Sequence, residues 1–272
     1  MSVATCGGTA LAIRKATADE GCVRSRPFAF LPLLVSGICA VVLLRMARDD
    51  ARFYVPLGAV LVTSLLPALL ARRRMRQVLM SGDVPRILGT WQQSIERVMY
   101  PETMAPLMMA TAYASYGWTD AARDALQRAV RGPAWEAARE QRLFVETLLD
   151  TFEGNRDSAT TKASELLSLP LPSNGPLVRR RVTRLREGVA AMVRAFAHAS
   201  NAKDERRLAG AAKASPLVHW AMRYAQAIVA IDRGKSEDAR ALLRGAPEWP
   251  KESAFRTFHD ELRIHLEGPV TT

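Results

Sequence analysis

Four histidines, His198, His219, His259 and His265, are the side chains of this chain best suited to metal binding or proton transfer, and the last two flank Asp260 and Glu261. Histidines and carboxylates held close together would suit a divalent transition metal. A separation of six residues, however, sets His259 and His265 about 240° apart around a helix at 100° per residue. The group therefore reads as a solvated helix face. Cys6, Cys22 and Cys39 lie toward the N-terminus without Cys-x-x-Cys spacing, which argues against a structural disulfide or zinc site. There is no Gly-rich phosphate loop, Gly-x-Ser-x-Gly elbow or His-Glu-x-x-His. The string HDEL at 259–262 is internal, so it is not an endoplasmic-reticulum retrieval signal. The expectation is no catalytic residue, no cofactor, no metal and no small-molecule substrate: the chain is not read as an enzyme.

Arginine is the other chemistry-bearing residue. Arg179, Arg180, Arg181, Arg184 and Arg186 crowd one segment, where they could meet anionic lipid headgroups, an acidic protein or nucleic acid. The plainer reading is the polar side of an amphipathic helix, since Val178, Val182, Leu185, Val189, Met192, Val193 and Phe196 form an apolar stripe at helical spacing. No aromatic residue is interleaved with these arginines, which weighs against a single-strand groove. The net charge of +11 points the same way once divided along the chain. About +2 falls in residues 1–27, about +1 in the segment holding Arg45, Arg48 and Arg52, and about +4 on Arg72, Arg73, Arg74 and Arg76. Only about +4 remains beyond residue 76, so nucleic acid is not an expected partner.

The surplus flanks two apolar runs, PFAFLPLLVSGICAVVLL from Pro27 and FYVPLGAVLVTSLLPALLA from Phe53, neither of which holds a charge. At 1.5 Å per residue each suits a hydrocarbon core of about 30 Å. The expected anchor is a transmembrane hairpin over 27–76, with spans at about 27–45 and 53–71. A cleaved signal peptide fits less well, because Val41 to Leu44 and Arg45 follow the small-residue stretch. A lipoprotein reading fails on Ile38 before Cys39. Arg14, Lys15, Arg24 and Arg26 with Arg72, Arg73, Arg74 and Arg76 outnumber the three arginines between the runs, which places both termini in the cytoplasm by the positive-inside rule. Residues 1–26 and 268–272 are expected to be disordered.

From residue 77 to 267 apolar residues recur at three- and four-residue spacing between turns of Gly, Pro, Asp or Asn, so an all-α fold is expected. A ladder repeats: Gly117, Ala122, Leu126, Ala129 and Pro133 are spaced like Gly234, Ala239, Leu243, Ala246 and Pro250, with Gly154, Ala159 and Pro170 as a partial third copy. Gly can take positive φ in a tight turn, Ala lets two helices approach, and Pro stops the second helix. Together with Ala110 and Tyr113, this ladder resembles the tetratricopeptide repeat family, a helix–turn–helix unit of about 34 residues. The tryptophan usual at the start of that unit is absent, and Leu126 and Leu243 stand where an aromatic is common.

The expectation is three or four degenerate repeats in an α-solenoid. Met75 to Tyr100 leads in through a turn at 81–83, and a capping helix carries Phe255, Phe258, Leu262 and Leu266. The resemblance implies a groove lined by the first helix of each unit, which places Leu107, Thr111, Tyr224 and Asp232 at a protein partner. With the lipid bilayer as second partner, this describes a scaffold on the cytoplasmic face of a bacterial inner membrane. A second expectation is an accessory subunit of a membrane enzyme or transporter, recognised through small residues of the spans such as Gly37, Ala40, Gly58 and Ser64.

Overall fold

The computed structural model describes residues 54–173 and 175–267 with Arg45 and Arg52. All regular structure in them is helical. The chain divides into two compact units, Met1–Arg73 and Arg74–Thr272. The expected tails and the first apolar run lie outside the described residues, Arg45 apart. The second run falls on α1 (Tyr54–Met80), a 27-residue helix with Pro67 inside it. Side chains at 58, 61, 64, 65 and 68 of α1 are outside the description. Among the described residues no helix is long and apolar enough to cross a membrane. The described residues thus form an all-α fold and do not support the two expected spans.

After α1 the chain turns at Ser81–Asp83 into α2 (Val84–Ile95), as the sequence predicts. The Asp83 carboxylate accepts from the Arg86 amide at 3.1 Å and caps this helix. Four helix pairs follow: α3 (Pro101–Ser115) with α4 (Thr119–Arg128), α6 (Arg139–Phe152) with α7 (Arg156–Ser168), α8 (Pro176–Phe196) with α9 (Asp204–Ala214), and α10 (His219–Asp232) with α11 (Ser236–Leu243). The short helix α5 (Pro133–Ala137) joins the first two pairs, and a 3-10 turn at Pro216–Val218 precedes α10. First helices of successive pairs pack together, α3 on α6, α6 on α8 and α8 on α10.

The sequence ladder has a physical reading in these turns. Gly117, Gly154 and Gly234 all take positive φ. Ala122, Ala159 and Ala239, five residues after each glycine, are at most 1% exposed. The third pair hides because His198, with φ of 54°, stands where the others have glycine. Its close approach comes elsewhere: a Cβ on Gly188 of α8 would lie 2.2 Å from the Ala211 Cβ of α9.

The second unit differs from an open row of repeats, because its end returns to its beginning. The last helix, α12 (Ala254–Glu267), packs on α10 and α11. The segment before it reaches the first pair: Ser253 Oγ donates to the Tyr116 carbonyl at 2.7 Å, and the Ala254 amide donates to the Gly117 carbonyl at 2.8 Å. Trp249 and Pro247 lie against Gly82, where φ is +75° and an added Cβ would come within 2.9 Å of both side chains. The Trp220 indole donates to the Met80 carbonyl at 2.8 Å, and the Tyr116 hydroxyl donates to the Leu79 carbonyl. Tyr116, Trp220, Tyr224, Trp249 and Phe255 form a continuous aromatic core between these ends.

Candidate functional site

Three of the turns converge on a concave cavity of about 650 Å³. Its position follows from the repeat register. The residue two before the positive-φ turn residue is Phe152 in the second pair, Phe196 in the third and Asp232 in the fourth, and all three line the cavity. From α12, Phe258 and Leu262 close one side. Phe152, Phe196 and Phe258 touch one another, with ring centroids 5.7, 5.1 and 5.9 Å apart. Buried Val193, Ile228 and Ala159 complete an apolar floor.

Polar groups ring this floor. Asp150 is buried and already satisfied, accepting from Ser158 Oγ at 2.6 Å and Lys162 Nζ at 2.7 Å. His198 Nδ1 lies 2.8 Å from the Asp232 carboxylate, which ties the third turn to the fourth across the mouth. Arg156, Glu261 and His265 are exposed at the rim. An apolar floor of this volume with a few polar groups at its edge suits a ligand with an apolar body. Nothing in it resembles a nucleophile held by a base, or three ligands converging on one ion: among the described residues no group of three His, Cys, Asp or Glu could hold a metal. The His259 Nδ1, for its part, meets the Tyr224 hydroxyl at 3.1 Å, away from His265 at the rim.

The four residues expected at a groove separate. Asp232 is at this cavity. Thr111 lines a second recess of about 490 Å³, where its hydroxyl accepts from Gln141 Nε2 at 2.8 Å and donates to the Leu107 carbonyl at 2.7 Å. Leu107 and Tyr224 are wholly buried. Tyr224 belongs to the aromatic core, where its hydroxyl accepts from the Trp249 indole at 2.6 Å and burial pushes its pKa up. Both residues are enclosed by the fold, whereas Phe152, Phe196 and Phe258 line the cavity. Phe196 and Phe258 were visible as apolar stripe positions; Phe152 becomes visible only by counting back from each turn.

The arginines also divide. Arg72, Arg73, Arg74 and Arg76 are exposed on α1, and Arg179, Arg180 and Arg184 are exposed on α8. Arg186, expected on the polar face, is instead 4% exposed. It pairs with Glu140 at 2.9 Å and donates to the Leu169 and Pro170 carbonyls, pinning the chain after α7 onto α8.

Compared with known proteins, the chain matches no family model, no curated protein and no solved structure.

Proposed function

We propose that this chain is a membrane-anchored interaction scaffold, a tetratricopeptide-like row of helix pairs that holds a segment of another protein and does no chemistry of its own. The observation that carries the reading is the 650 Å³ cavity, built by three turns and the capping helix in one repeat register. A phenylalanine-lined floor rewards an apolar side chain, and Asp232, Glu261, His198 and Arg156 at the rim orient the polar part of the segment.

The membrane location is supported by the uncharged runs and by the surface of α1. Val55, Val62, Leu66, Leu69 and Leu70 on that helix are each at least 42% exposed. So much exposed aliphatic surface on one helix is costly in water and favourable in lipid. The anchor we propose is the two-span hairpin over 27–76, in a bacterial inner membrane with both termini cytoplasmic. The competing reading makes the hairpin itself the recognition surface of an accessory subunit. Replacing residues 27–76 with an unrelated two-span anchor separates the two. A scaffold keeps its crosslinked partner after the exchange, whereas loss of the partner at unchanged protein level would contradict it.

A further inference from the structure

The first two turns of α8 project from the body. Every residue from Gly175 to Arg181 is exposed, while the second half of the same helix carries buried Val189, Ala191, Met192 and Ala195. The apolar stripe therefore runs past the edge of the core at Val178, which is 44% exposed, and Leu177 beside it is 81% exposed. Leu171 in the preceding segment and Leu167 at the end of α7 are exposed as well. Arg179, Arg180 and Arg184 stand among these leucines, and among the described residues none of the three makes an ion pair. From Leu166 to Arg186 the chain has no acidic residue.

Neither half of this arrangement helps the isolated fold. Exposed leucine and valine gain nothing in water, and arginines in the first turns of a helix oppose the positive end of its dipole. Arg181 and Arg186 do have structural roles, the first donating to the Ala214 carbonyl at 2.7 Å and the second pinning the incoming chain. Among the described residues Arg179, Arg180 and Arg184 show no such side-chain bond. We propose that this tip is an interfacial contact with an anionic bilayer. Leu177 and Val178 enter the boundary between headgroups and acyl chains, and the three arginines meet lipid phosphates. The mixture of aliphatic and basic side chains on a projecting helix end fits a lipid surface. Nucleic acid would call for aromatic stacking or a basic groove, and the tip has neither. The proposal shares with the scaffold reading only the location beside a membrane.

The test uses the full chain in nanodiscs of phosphatidylcholine alone or mixed with phosphatidylglycerol. A solvatochromic dye is placed by Leu177→Cys, with Cys6, Cys22 and Cys39 replaced by Ser. The expected result is a blue-shifted emission, quenched by headgroup spin labels, in the anionic discs only. Arg179→Glu, Arg180→Glu and Arg184→Glu together should abolish it at unchanged helix content. Three arginines strengthen partitioning about a hundredfold, at about fivefold each, and added salt should weaken it. Equal emission in both discs, a shift that survives the triple reversal, or a response to a short RNA with none to anionic lipid would each overturn the proposal. Resistance of the chain to alkaline extraction reports the anchor separately. If the anchor fails, the same label read against added anionic vesicles decides the tip.

Discussion

Asp204 opens α9 with its side chain wholly buried. Burial would raise its pKa, but hydrogen bonds from Arg194 at 2.6 and 2.9 Å and from the Asn201 amide at 2.9 Å outweigh it, helped by the Arg194 charge and by Arg207. The carboxyl is held below its usual range. Its contribution is therefore complete above the unfolded value of about 3.9 and is lost as pH falls through the lower native value. Asp204→Asn should cost about 2 kcal/mol at pH 7, under the range for a fully enclosed pair because Arg194 is a third exposed. Denaturant melts should also show a flatter acid limb below about pH 4 for that variant.

His219 titrates higher in the pH range. Burial, then the Arg223 charge and more weakly that of Arg76, push its pKa down against a hydrogen bond with the Ala212 backbone. The unfolded chain then binds the proton more readily, so stability should drop as pH falls below about 6.5. Thermal melts at pH 7.5 and 5.5 should differ less for His219→Gln than for the parent chain. Neither role was legible in the sequence. His219 is one histidine before a tryptophan, and Asp204 one acid among several, until the turns before α9 and α10 bury Asp204 and half-bury His219.

At the scale of elements, the repeat was legible because its turns need glycine and its crossings need alanine. Gly117 shows both the success and the limit. Its φ of +74° was expected, while the Phe255 and Ser253 atoms 3.1–3.2 Å from where its Cβ would sit come from a segment 136 residues away or more. The third pair stayed hidden because His198 replaces the turn glycine and its crossing, Gly188 against Ala211, falls outside the spacing of the ladder. Gly188→Ala should push α8 from α9 and cost about 1–3 kcal/mol. Ala211→Gly alone should cost about 1 kcal/mol. The double variant should be more stable than the sum of the two, which a denaturant double-mutant cycle measures. Strict additivity would mean that this contact does not set the crossing.

At the scale of the molecule, the joining of the end of the second unit to its start is what periodicity could not reveal. A repeat pattern reports neighbours, and the contacts of Ser253 with Tyr116 and of Trp220 with Met80 link residues 137 and 140 apart. Phe255 lies at their centre, fully buried beside Tyr224 and Trp249. Phe255→Ala should cost about 3–5 kcal/mol. Hydrogen exchange should then quicken at the α3–α4 turn as well as in α12; quickening confined to α12 would mean that the two ends are not one cooperative unit. The same joining fixes α12, and with it Phe258 and Leu262, over the cavity on which the scaffold reading depends. The most direct measurement of that reading is photocrosslinking in intact cells from Ile231, at the cavity, against Gln127, exposed on α4. A discrete protein adduct in the membrane fraction is expected from position 231, lost with Phe258→Asp and absent from position 127. The same adducts from both positions, or adducts from position 231 that survive Phe258→Asp, would contradict the scaffold reading.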